Sequence, residues 1–181
     1  FDAAPEGAYS KIEFPAYREM EYEPYMYDPI IVECKGFCGT MEFTLEKADY
    51  AASGVGFNIT EDSLTSCEGN TCYGKPKFAD IKDWGGICIT YYSEKDAYLN
   101  VVVKGVPYED SPKASLPATG ALVEKCFTWS DLAPNDPNMG SAVSSVQFIV
   151  KSYEDGDRNQ FNIAGIVFFF FYRPLFGNVF L

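Results

Sequence analysis

The feature that most constrains this chain is a repeated alternation of apolar and polar residues in short runs, each closed by Gly, Pro, Asp or Asn. Met41, Phe43 and Leu45 form one such row, followed by Val55, Phe57 and Ile59, then Ile87, Ile89 and Tyr91, then Leu99, Val101 and Val103, then Val146, Phe148 and Val150. A period of two places each row on one face of a β-strand. Seven or more such strands, with no amphipathic helix between them, predict an all-β fold: an antiparallel β-sandwich. Trp84 to Gly105 gives the clearest pair, two strands joined by Ser93-Glu94-Lys95-Asp96, and reads as a β-hairpin. Its outward row is Cys88, Thr90, Tyr92, Tyr98, Asn100 and Lys104. The same reading makes hairpins of 41–45 with 55–59, and of 144–153 with 160–170.

A length of 181 residues suits one such domain. Residues 1–30 carry prolines at 15, 24 and 29 among many tyrosines, which predicts an extended Tyr/Pro-rich arm ahead of a sandwich domain over 31–181. The arm either wraps the domain or docks on another subunit. At the other end, four consecutive Phe in FFFFYRPLFGNVFL cannot all face one side of a strand, so this Phe-rich C-terminal strand is covered on both faces or meets a neighbour. Lys125 to Leu132 reads as a short strand entering a turn, with Trp129 in the core. The longest apolar run, Ile163 to Tyr172, is far short of the roughly 20 residues that span a bilayer, so no membrane-spanning helix is expected. With Phe1 first and no leader, the sequence reads as a processed chain or an excerpt.

Charge and cysteine narrow the partners. Fourteen Lys and Arg against 26 Asp and Glu give a net charge of −12, which repels a phosphate backbone and argues against nucleic acid. Neutral polysaccharides and calcium remain compatible. The six cysteines allow fifteen pairings. Cys34 with Cys38 and Cys67 with Cys72 close short loops, and Cys88 with Cys126 staples neighbouring strands. A zinc site would need four thiolates without histidine or a CxxC motif. Disulfides place the chain in an oxidising compartment, extracellular or at a cell surface. The absence of histidine removes Ser-His-Asp and Cys-His catalysis, no glycine-rich phosphate loop is present, and among 26 acids some carboxylate pair always exists. The chain is not expected to be an enzyme.

The order of four segments resembles the jelly-roll, galactose-binding-like carbohydrate-binding modules of bacterial plant-cell-wall-degrading systems. The segments are GTMEFTLEKADYAASGVGFNI, WGGICITYYSEKDAYLNVVVKG, FTWSDL and SVQFIVKSYEDGDRNQFNIAGIVF, together spanning about residues 39–168. The resemblance implies a concave outer sheet face that lays tyrosines and amides along a glucan, and often a structural calcium. Of the outward positions, Tyr92, Tyr98, Asn100 and Gln147 suit a sugar best, with Trp84 as a platform at the rim. Sugar C–H bonds pack on aromatic faces while hydroxyls need fixed donors and acceptors. Each has a plainer reading: Tyr92 and Tyr98 as a cross-strand pair, Trp84 as a loop plug. Cys88, Cys126 and Lys104 fall in the same outward row, so a bridge there is expected to narrow the face. Asp155, Asp157 and Asn159 reproduce the first oxygen positions of a calcium loop, but Gln160 and Ile166 stand where its Gly and Glu belong, and a solvated turn is the simpler reading. The expected function is a non-catalytic module binding a plant-type glucan. The alternative is a structural subunit of an extracellular filament or surface assembly, self-associating through exchanged terminal arms.

Overall fold

In a computed structural model, residues 7–13, 34–60 and 77–169 are described in full, and 63–68 and 71–75 by their backbone alone. Two antiparallel sheets stack face to face. One has the strand order β1 (Ala8–Glu13), β2 (Phe37–Leu45), β11 (Arg158–Phe169), β6 (Gly86–Ser93), β9 (Val123–Thr128). The other runs β3 (Ala51–Asn58), β10 (Val143–Ser152), β7 (Ala97–Val103), β8 (Lys113–Leu116). A separate ribbon pairs β4 (Ser63–Glu68) with β5 (Thr71–Lys75), and α1 (Trp129–Leu132) is a single turn capped by Thr128 and Asp131. This is the expected antiparallel β-sandwich of jelly-roll type.

The inward rows are those the alternation picked out. Met41, Phe43, Ile87, Ile89 and Tyr91 of the five-stranded sheet meet Leu99, Val101, Leu116, Val146 and Phe148 of the four-stranded one, all essentially without solvent contact. Phe148 stacks on Phe161 at 6.0 Å between ring centroids and lies 6.1 Å from Tyr91, so three aromatic rings bridge the sheets. Tyr91 is buried with its hydroxyl satisfied, donating to the Pro117 carbonyl at 2.8 Å. Trp129 is buried, as expected, and its indole N–H donates to the Trp84 carbonyl.

None of the three expected hairpins forms. In each pair, β2 with β3, β6 with β7 and β10 with β11, the two strands belong to opposite sheets. The turns explain this, because they bond across to other strands instead of closing on themselves. Between β6 and β7, Glu94 N–H reaches the Gln160 carbonyl at 3.1 Å, the Glu94 carboxylate takes Gln160 N–H at 2.9 Å, and Asn159 Oδ1 takes Lys95 N–H at 2.9 Å. Between β10 and β11, Phe43 N–H donates to the Asp157 carbonyl and Gly156 N–H to the Phe43 carbonyl, each at 3.0 Å. Gly156 sits at φ 73°, the left-handed region that this turn requires. The corners therefore carry the chain over the core from sheet to sheet.

The arm boundary also shifts. β1 lies within residues 1–30 and pairs along its whole length with β2, so the sandwich begins inside the stretch read as an arm. Residues 14–33 and 170–181, which hold the other segments read as exchangeable, fall outside the described residues. Phe168 and Phe169, the first half of the Phe run, are half-buried in β11, and Phe168 packs on Trp84 with centroids 4.8 Å apart.

Candidate functional site

The outer face of the four-stranded sheet gathers the polar and aromatic residues. The ladder registers Gly56, Gln147, Asn100 and Lys113 in one row, and Gly54, Ile149, Tyr98 and Ser115 in the next. Lys151 lies beyond, opposite Ala52. Asn100 Nδ2 donates to Gln147 Oε1 at 2.9 Å, which locks the two amides side by side. Asn100 is 0% exposed and its Oδ1 has no hydrogen-bond partner, so the floor of the face holds an unused acceptor.

Next to these amides along β7 comes Tyr98, and three tyrosines from other segments gather near it. Tyr98 belongs to β7, Tyr50 precedes β3, Tyr108 opens a 3-10 turn (Tyr108–Asp110), and Tyr153 follows β10. Tyr50 and Tyr153 lie 6.1 Å apart between centroids. The Tyr98 and Tyr108 phenols are close enough for each to act on the other's ionisation. Burial, helped by the neighbouring Tyr108 phenol, pushes Tyr98 well above the ordinary phenol range, and burial also raises Tyr108. Both rings are therefore neutral hydroxyl donors across physiological pH. Tyr153 is 70% exposed and Tyr108 40%, so ring surface is presented to solvent. Lys151 Nζ lies 4.5 Å from the Tyr50 centroid and 5.8 Å from that of Tyr98, and Lys113 Nζ lies 5.9 Å from Tyr98 and 6.0 Å from Tyr108.

The structure thus brings together Tyr98, Asn100 and Gln147 of the expected set and separates the others from them. Tyr92 lies in β6, opposite Asn162, on the outer face of the other sheet; it forms no cross-strand pair with Tyr98, because β6 and β7 are not neighbours. Trp84 packs on Phe168 and lines an apolar cavity of about 460 Å³ with Phe37, Phe57 and Ile166, apart from the tyrosine face. Lys104 follows the end of β7, and Thr90 shares the outer face with Tyr92. Cys88 faces Cys126 across the β6–β9 ladder and is bridged to it. That disulfide, expected to narrow the sugar face, lies on the opposite sheet and leaves it clear. Cys34 and Cys38 are also bridged. Cys67 and Cys72 stand opposite each other in the β4–β5 backbone ladder, and their side chains fall outside the described residues.

Asp155, Asp157 and Asn159 do not converge on one point. Asp155 Oδ1 accepts Leu45 N–H at 2.7 Å. Asp157 Oδ2 meets the Lys95 ammonium at 2.9 Å and the Ser152 hydroxyl. Asn159 Oδ1 accepts from Ser93 and Lys95. Their oxygens are committed to separate protein donors, one of them a cation, so this loop as it stands does not fit a calcium ion. Among the described residues no cluster of three or more Cys, Asp or Glu is placed to hold a metal.

Tyr50, Tyr108, Tyr153, Lys113 and Lys151 were not singled out by the sequence. The only available signal was that three of them are tyrosines within two residues of a strand end or a proline.

No family model matches the chain, and no curated protein does. Solved structures similar to it include the family 11 carbohydrate-binding module of the cellulosomal cellulase Lic26A-Cel5E of Clostridium thermocellum, at 11% identity over 94% of this chain and 86% of that one, with a TM-score of 0.49. A family 11 module from the same organism, in complex with a β-1,3-1,4-mixed-linked tetrasaccharide, matches at 13% identity, 93% and 87% coverage and a TM-score of 0.48. A variant of a family 29 carbohydrate-binding module matches at 12% identity, 87% and 93% coverage and a TM-score of 0.32.

Proposed function

We propose that the protein is a non-catalytic carbohydrate-binding module that takes a plant-type glucan along the outer face of its four-stranded sheet. The observation that carries this reading is the gathering of Tyr50, Tyr108 and Tyr153 near Tyr98, which stands two residues along β7 from the Asn100–Gln147 amide pair on the same face. Pyranose rings stack their C–H faces on tyrosine, and the amides and phenol hydroxyls supply donors and acceptors for the sugar hydroxyls. The unpaired Oδ1 of Asn100 gains a partner when a sugar hydroxyl reaches it, which lowers the cost of its burial. Two disulfides among the described residues support a site of action outside the cytoplasm.

Affinity electrophoresis through gels containing mixed-linkage glucan, hydroxyethylcellulose or xylan tests the proposal. The wild type is retarded by at least the glucans, and Tyr98→Ala and Tyr153→Ala each reduce the retardation by about two- to ten-fold, as loss of a stacking contact of roughly 0.5–1.5 kcal/mol does. Tyr92→Ala, on the other sheet, leaves it unchanged. Migration equal to that of an inert protein in every gel removes the proposal.

A further inference from the structure

The two sheets carry charge in different ways. In the five-stranded sheet, charged residues of both signs pair with one another: Lys11 with Glu13 and Glu42, and Arg158 with Glu13 and Glu42. In the four-stranded sheet, strands AASGVGFN, VSSVQFIVKS, AYLNVVV and KASL contain no Asp or Glu at all, and their only charged residues are Lys151 and Lys113. Both lie in the outward rows. Neither has a carboxylate partner among the described residues: Lys151 faces the Tyr50 and Tyr98 rings, and Lys113 faces Tyr98 and Tyr108 and donates to the Glu109 backbone carbonyl at 2.6 Å. In a chain with 26 acids and 14 basic residues, the four strands of the candidate site carry two lysines and no acid.

We infer that the polysaccharide bound on this face carries carboxylates, which the ammonium groups of Lys113 and Lys151 receive on either side of Tyr98. This deepens the function proposed above and rests on it. The stacked tyrosines hold the sugar rings, and the lysines, already positioned by those same rings, meet a charged substituent at each flank. A lysine held over aromatic rings without a carboxylate partner has no ion pair to break when an anion arrives. The net charge of −12 does not cancel the effect. Asp49, Glu109, Asp110 and Glu154, the acids next to the tyrosines in sequence, are exposed on rim loops, where salt screens them over about 8 Å at physiological ionic strength. Contact with an ammonium acts at hydrogen-bond distance.

Two polymers with one backbone isolate the charge. Carboxymethylcellulose and hydroxyethylcellulose are both substituted β-1,4-glucans, one anionic and one neutral. Calorimetric titration at about 150 mM NaCl, where the rim acids are screened, is expected to give about ten-fold tighter binding of carboxymethylcellulose, in keeping with charge-assisted hydrogen bonds, and the ratio shrinks toward one at about 1 M NaCl. In the Lys113→Gln/Lys151→Gln variant the ratio falls below about two. Single Lys→Met variants, which keep the aliphatic stem on the rings, each lose part of it, and thermal melting verifies that all are folded. Equal affinity of the wild type for both polymers overturns the inference while leaving the proposed function standing. So does a preference that survives the double substitution. Binding to neither polymer, nor to any other glycan, overturns both.

Discussion

At the scale of single residues, Tyr98 is where the site and the fold meet. Its position follows from alternation: in AYLNVVV it shares a face with Asn100 while Leu99 and Val101 go to the core. Its surroundings do not, because Tyr108 and Lys113 come from segments that alternation says nothing about. Two substitutions separate the contributions. Tyr98→Phe keeps the ring and removes the hydroxyl, so unfolding free energy changes by no more than about 1 kcal/mol while glycan retardation persists in weakened form. Asn100→Ala removes a buried amide together with its bond to Gln147, so unfolding free energy falls by about 1–2 kcal/mol while glycan affinity drops several-fold. Urea titration beside affinity electrophoresis reads both effects, and a large stability loss in Asn100→Ala with unchanged retardation contradicts the role given to this residue.

At the scale of elements, the sequence showed which face each residue takes but not which strand lies alongside. Ile87 and Leu99 were correctly placed inward, and Gln147 and Tyr98 outward, since a period of two is local information. Partnering is not local. The turn after β6 holds only polar residues, and nothing in Ser93-Glu94-Lys95-Asp96 announces that it bonds to Asn159 and Gln160. That is why Tyr92 was grouped with Tyr98 and why Cys88 was set across the sugar face. The cysteine pairing itself was legible, because Cys88 and Cys126 each sit in a strand-like run and no histidine offered a metal alternative. The bridge has a definite task. β9 is an edge strand paired only with β6, and the disulfide ties the two across a separation of 38 residues. Closing a loop of that length stabilises the fold by about 4 kcal/mol on a chain-entropy account. Cys88→Ala/Cys126→Ala is therefore expected to lose about 2–4 kcal/mol in urea unfolding. Glycan binding on the opposite sheet persists wherever the variant remains folded. Loss of binding in folded protein contradicts the placement of the site.

At the scale of the whole molecule, two sheets that share no hydrogen-bonded ladder need ties at their corners as well as a core between them, and one such tie is charged. Lys95, in the corner between β6 and β7, meets Asp157, in the corner between β10 and β11, at 2.9 Å. Burial pushes the Asp157 carboxyl up, but the Ser152 hydroxyl, the Lys95 ammonium and the Arg158 N–H together outweigh it and hold the group below the ordinary carboxylate value. The hydrogen bond that Lys95 donates to Asp157 raises the Lys95 ammonium above its ordinary value. The depressed carboxyl contributes stability that is present above its unfolded value near about pH 4 and is lost as pH falls through the lower folded value. The raised ammonium contributes stability that is present below about pH 10.4 and is lost as pH rises through its higher folded value. The tie therefore acts between those limits and fades outside them. Asp157→Asn is expected to lower the urea midpoint at neutral pH, with the gap to wild type closing as pH falls through the lowered Asp157 value and shrinking as pH rises through the raised Lys95 value. Urea midpoints measured on both proteins from acid through neutral to alkaline pH read the window directly. A gap that stays constant from acid to alkali would mean that Asp157 holds the corner through its neutral hydrogen bonds to Ser152 and the backbone, and that the ion pair with Lys95 contributes nothing.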